Sequence, residues 1–267
     1  MLRYHSKTFQ LLGIEPRRSP SAIDALARAE DRIGRALPHS VREWYELENA
    51  CSLLLEHSNA DRPLDISEFG QPQRDTNGGG PYDLLAEDLL VFRWENQGVC
   101  AWATRLDDSD DPPVVVDVDT QFQSWIETAG SFSQHLYAWM WDSVSVQRLR
   151  NDGLLIQAQN RALSEEALTF LTNQFHAELT THGWPGHTQY RFFKGDQRIL
   201  IWADSDEADW HLAADGKESL ERLIRSVSTV DGLGEALWSS TADGEAVLSR
   251  VQHPLPNERT WKPSSEK

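Results

Sequence analysis

Two sets of short β-rich runs, each bracketed by helical patterns, constrain this chain more than any other feature. In the first set, Leu89-Leu90-Val91-Phe92-Arg93-Trp94 and Val99-Cys100-Ala101-Trp102-Ala103-Thr104 are separated only by Glu95-Asn96-Gln97-Gly98. So short a connection reads as an antiparallel hairpin, because a parallel pair needs a crossover of about a dozen residues or more. Pro112-Pro113 then introduces a third run over residues 114–118. In the second set, runs at 189–193, 198–203 and 209–214 are joined by Lys194-Gly195-Asp196-Gln197 and by the acidic turn 204–208.

The flanking helices follow from apolar spacing and capping residues. Residues 21–37 place Ile23, Leu26, Ala27, Ile33 and Leu37 on one stripe after Pro20, with Ser21 as N-cap and Pro38 as terminator. Ser40 opens a second helical pattern through Val41, Trp44 and Tyr45, which the run from Cys51 to Leu55 extends to about His57. Residues 59–83, rich in Asn, Asp, Gly and Pro and ending in Asn77-Gly78-Gly79-Gly80-Pro81, read as a long loop. A helix at 132–143 closes the first unit. Beyond Asn151-Asp152-Gly153, Ser164 caps a helix with Glu165 and Glu166 in its first turn and Gly183 as its stop, and Leu220, Leu223, Ile224 and Val227 mark another at 218–227. The expectation is an α+β fold: an antiparallel sheet flanked by helices over residues 1–152, a smaller C-terminal α-β-β-β-α module over 153–252, and a flexible tail over 253–267.

Charge narrows the function classes. The chain carries 42 Asp and Glu against 25 Lys and Arg, a formal net charge of −17. Binding to nucleic acid depends on clustered Lys and Arg that displace counterions, so direct DNA or RNA binding is disfavoured. Between Asp61 and Glu127 fifteen acids face four bases, a local net of −11, and Asp107, Asp108, Asp110 and Asp111, followed by Asp117 and Asp119, form its densest part. No run approaches the ~18 apolar residues of a membrane span, and Met1 to Gly13 lacks the apolar core of a signal peptide, so a cytoplasmic protein is expected. Cys51 and Cys100 are the only cysteines, too few for a disulfide framework or thiolate cluster, and read as buried apolar residues.

An ordered set of segments resembles the SUKH superfamily, the group that contains Syd, herpesvirus US-type proteins and fungal cell-wall synthesis regulators. It consists of Leu37-Pro38-His39-Ser40-Val41-Arg42-Glu43-Trp44-Tyr45, then Leu90-Val91-Phe92 with Glu95-Asn96-Gln97-Gly98-Val99-Cys100-Ala101-Trp102, then Asp111-Pro112-Pro113-Val114, and finally Ser131-Phe132-Ser133-Gln134-His135-Leu136. It covers roughly residues 20–145. Where many members carry Asn-Gly-Gly after the second helix, this chain has Asn49-Ala50-Cys51. The resemblance implies a non-enzymatic binding protein with no catalytic set to transfer: in bacteria an immunity protein that neutralises a toxin, often a nuclease, and in fungi a signalling scaffold. An acidic field suits the first role, since complementary charge steers encounter with a basic partner. The expected partner-binding residues are therefore Asp107, Asp108, Asp110, Asp111, Asp117 and Asp119, with no cofactor and no metal. An intracellular scaffold or regulatory protein is the alternative.

Enzymatic readings find little support. Gly78-Gly79-Gly80 lacks the Lys-Ser or Lys-Thr of a phosphate-binding loop, and neither GxSxG nor HExxH occurs. Glu178 and His182 stand four apart on the helix expected at 164–183, with His187 after the turn, which offers three potential zinc ligands. Asp204, Asp206 and Asp209 lack the glycine and glutamate of a calcium loop and read as a solvated turn.

Overall fold

In the computed structural model, which describes residues 2–74, 78–117, 122, 124–147, 154–183 and 186–252, both sets of β-rich runs form antiparallel sheets flanked by helices. The fold is α+β. The chain divides into two units, one of residues 1–144 with 179–189, the other of residues 145–178 with 190–267. The segment 253–267, the linker 151–153, Asn77, Asp119 and Trp184 lie outside the described residues. Among the described residues no helix is long and apolar enough to cross a membrane.

The first unit begins with α1 (Ser6–Leu12) and α2 (Pro20–Ile33). Ser19, not Ser21, caps α2 by accepting from the Ala22 N–H, which leaves Pro20 at the first helical position where its missing N–H costs nothing. Gly34, in the left-handed region at φ 78°, ends it before Leu37 is reached. The helical pattern that follows is broken into α3 (His39–Tyr45) and α4 (Ala50–Glu56). The reason lies upstream in the chain. Ser19 N–H donates to Glu46 O at 2.8 Å and Glu48 N–H to Arg17 O at 2.8 Å, which bridges Leu47 to Arg18, so the Glu46 carbonyl and the Glu48 amide are not available to continue a helix. Asn49 re-enters helix from the left-handed conformation, φ 61°.

Five strands follow in sheet order and in chain order: β1 (Arg62–Pro63), β2 (Leu89–Trp94), β3 (Ala101–Arg105), β4 (Val114–Asp117) and β5 (Trp125–Ala129). All neighbours are antiparallel, with an irregularity between Val91 and Arg93 that pairs Arg93 with Trp102. All six residues of β2 are buried. Helix α5 (Phe132–Asp142) completes the unit. Its Phe132 ring packs edge-on to Phe92 at 5.2 Å, and Trp44, Leu54, Phe69 and Trp94 lie in the same core. Strand β5 occupies residues read from sequence as a loop leading to Gly130.

The second unit holds β6 (Leu155–Arg161), α6 (Glu165–Gln174), β7 (His176–Ala177), most of β9 (Thr188–Lys194), β10 (Gln197–Ala203), β11 (Glu207–Ala214), α7 (Lys217–Val227), α8 (Leu233–Ala236), β12 (Leu237–Trp238) and α9 (Ala242–Gln252). The short β8 (Thr181–His182), which pairs with the first residues of β9, belongs to the first unit. The sheet path β12-β6-β11-β10-β9-β7 puts Trp210 between Ala158 and Ile201, and Leu220, Leu223, Ile224 and Val227 of α7 share one core with all three. Strand β6 and the segment from α8 to α9 extend the α-β-β-β-α pattern at both ends.

The left-handed position at the start of α4 gives a direct test. Asn49→Gly is expected to leave stability unchanged or raised, whereas Asn49→Val, whose branched Cβ crowds the carbonyl in that conformation, is expected to lower it by about 1–2 kcal/mol in urea unfolding.

Candidate interaction site

The densest acidic segment forms the loop between β3 and β4, and its carboxylates do different work. Asp107 accepts the Ser109 N–H at 2.9 Å, and Ser109 Oγ accepts the Asp111 N–H at 3.2 Å, two tight turns in succession. Asp111 reaches α5: its Oδ1 accepts the Ser133 N–H at 3.0 Å and its Oδ2 the Ser133 hydroxyl at 2.6 Å. Ser131 caps the next amide of that helix, Gln134 N–H, at 3.2 Å. The carbonyl of Asp110 accepts Ser40 N–H at 2.9 Å, which serves α3, whose own N-cap position is Pro38 with no side chain able to accept. The Asp110 carboxylate meets His39 Nδ1 at 2.8 Å and Arg3 at 3.4 Å. Desolvation raises the Asp110 carboxyl, but His39, the Tyr4 hydroxyl and Arg3 together outweigh it and hold Asp110 below the usual carboxylate range.

Two of the six expected contact residues are thus presented outward with little structural duty: Asp107 and Asp108 are exposed at the tip. Asp110 is exposed but engaged, and Asp111 is half-buried under α5. Asp117 lies on β4 opposite Trp125 and is 0 % exposed, so it faces no partner. Asp119 lies outside the described residues.

The zinc arrangement considered from sequence is overturned. Helix α6 ends at Gln174, where Phe175 turns extended and buries its ring, His176 then pairs with Phe193 in β7, and His182 stands on β8. Without a helix through residues 178–182 the four-residue spacing of Glu178 and His182 places nothing on one face. No group of three or more His, Cys, Asp or Glu side chains is placed to hold a metal among the described residues. Asp204 Oδ1 accepts the N–H groups of Asp206 and Glu207 at 2.8 and 2.9 Å, a tight turn.

One constellation carried no expectation from sequence. The Arg93 guanidinium lies between the Trp102 and Trp139 rings, 3.5 Å from each centroid, and pairs with Asp61 at 3.4 Å, though Arg93 is 5 % exposed. Burial pushes Arg93 down to about 10 and Asp61 up, each partly restored by the other. Among the described residues, Nε of Arg93 has no hydrogen-bond partner. The available signal was an arginine inside an otherwise apolar strand with tryptophans one strand and one helix away. The arrangement compensates a charge within the core by one carboxylate and two indole rings. Cys51 and Cys100 have thiols pushed up by burial, Cys51 to about 12, so neither is a reactive thiolate.

No protein-family model matches the chain, and no curated protein matches it. Among solved structures, the NMR structure of PA4090 from Pseudomonas aeruginosa is similar at 14% identity over 32% of this chain and 93% of its own, with a TM-score of 0.22. Likeness at that level carries no argument about fold or function.

Because breaking a buried ion pair strands a charge, Asp61→Asn is expected to cost about 3–5 kcal/mol in urea unfolding. The double change Asp61→Leu with Arg93→Met is expected to cost distinctly less, since it removes both desolvated charges together.

Proposed function

We propose that this chain is a non-enzymatic binding protein of the immunity type, which neutralises a basic, nuclease-type toxin by covering part of its surface. The observation that carries this reading is the division of labour in the acidic loop. Asp110 and Asp111 hold it to α3 and α5, so Asp107 and Asp108 stand outward on a fixed platform within the most acidic part of the chain. A platform ordered before binding does not lose further freedom when a partner arrives. Its charge acts at a distance. Complementary charge raises association rates toward about 10⁸ to 10⁹ per molar per second at low salt, against about 10⁵ to 10⁶ without it. The sequence resemblance to SUKH proteins supports the same role and suggests no catalytic group.

The test is affinity capture of tagged protein at about 50 mM and about 500 mM salt, with mass spectrometry of what is retained, because screening weakens contacts between exposed charges. One stoichiometric basic partner, lost preferentially at high salt, is the expected result. Several sub-stoichiometric partners held equally at both salts would replace this reading with that of an intracellular scaffold. With the partner in hand, Asp107→Asn together with Asp108→Asn is expected to slow association about three- to tenfold at low salt and to leave dissociation nearly unchanged, as rim charges do.

A further inference from the structure

The segment ahead of α1 is held down in an unusual way. One carboxylate, Glu43 on α3, accepts three consecutive backbone N–H groups, those of Arg3, Tyr4 and His5, at 2.7, 2.8 and 3.1 Å. The His5 side chain then enters the core at 0 % exposure, edge-on to Trp44 at 5.2 Å and to Phe132 at 5.9 Å. Its Nε2 lies 2.8 Å from Ser40 O. A carbonyl only accepts, so Nε2 carries the hydrogen and Nδ1 is the bare nitrogen of a neutral ring. Nδ1 is buried and, among the described residues, has no hydrogen-bond partner. A second proton would create an N–H with nothing to receive it, in a pocket walled by indole and phenyl carbon.

We propose that His5 is an acid-sensitive latch: a proton on its ring undocks the strap of residues 2–5 from α3, which withdraws Arg3 from Asp110 and frees the Glu43 carboxylate.

The charged and titratable neighbours do not reverse this. From the strap come Arg3, which lies over the Tyr4 ring, Tyr4 itself and, on α1, Lys7, which stands over Tyr137. Helix α3 brings Glu43 and His39, and the acidic loop brings Asp110 and Asp111. Helix α5 brings Phe132, while its His135 contacts Phe92 and Trp139 instead. Glu43, Asp111 and the Ser40 bond favour the charged ring, but burial outweighs them and holds His5 below the ordinary imidazole value. The docked strap is therefore fully favoured above about pH 6.5, where the freed ring is neutral too, and loses ground as pH falls below that. While the docked ring stays neutral, each pH unit below that value multiplies the open population by about ten. Opening releases Glu43 from the strap amides and parts Arg3 from Asp110, so acid would change which charges stand around Asp110. The latch stands whether or not that surface meets a toxin.

Amide hydrogen exchange of the full chain by NMR tests it. After correction for intrinsic rates, protection of the Tyr4 and His5 amides is expected to fall about tenfold between about pH 7.5 and pH 5.5, while the Leu64 amide, bonded to Phe92 O at 2.9 Å, keeps its protection. His5→Phe keeps a ring against Trp44 and Phe132 and is expected to abolish the pH dependence. Should that variant fail to fold, Glu43→Gln serves: strap protection is expected to be lower at both pH values with the same tenfold pH response. Equal protection of the wild-type strap amides at the two pH values overturns the proposal, as does a full pH response in His5→Phe.

Discussion

The hydrogen bonds that Asp110 and Asp111 make with the first turns of two helices organise the first unit. A helix start leaves N–H groups without internal partners, and each must find one. Pro38 gives α3 no side-chain acceptor, so the Asp110 carbonyl supplies one from the connection between β3 and β4. The Asp111 carboxylate does the same for α5, where the helix dipole also favours its charge. A single loop thereby sets the positions of two helices against one sheet. Phe132, the first residue of α5, and Trp44, in the last turn of α3, share one core with the His5 ring, which touches both.

That dependence separates what was legible in the sequence from what was not. Local signals carried the elements whose hydrogen bonds are local or purely periodic: the hairpin of β2 and β3, the meander from β9 to β11, and α7 with apolar residues at every third or fourth position. Where a distant segment claims the backbone, periodicity misleads. The pattern from Ser40 to His57 is helical throughout, yet Ser19 takes the Glu46 carbonyl and Arg17 the Glu48 N–H, and the helix is split there. The pattern around Glu178 fails for a similar reason, because His176 and Ala177 pair with Phe193 and Phe192 across the sheet. The site shows the same division. Composition located the acidic segment, but only three-dimensional contacts distinguish Asp107 and Asp108, which face outward, from Asp111, which fixes a helix, and Asp117, which is enclosed.

Two buried polar side chains in the first unit show opposite solutions to one problem. Arg93 keeps its charge in the core because three groups compensate it together: a carboxylate and two indole faces, each face attractive to a cation by about 2 kcal/mol when desolvated. His5 meets its surroundings by staying neutral, with one hydrogen bond and two aromatic rings packed at steep angles to its own. The guanidinium of the first arrangement does not change its own charge in mild acid, since it stays protonated well above neutrality. The second is sensitive to it by construction.

The contrast bears on how an acidic surface can be both fixed and adjustable. Rigidity comes from hydrogen bonds such as the two that the Asp111 carboxylate accepts from Ser133. Adjustment needs a neutral group that ionises near neutral pH and lies where ionisation is unfavourable. Glu43 links the two, because the carboxylate that anchors the strap belongs to the helix whose first turn the acidic loop serves. Any event that loosens the strap therefore changes the charge displayed around Asp110 while the Asp111 contact still holds the loop to α5. Presentation of the loop and the charge that surrounds it are set by different residues, so one can vary while the other stays fixed.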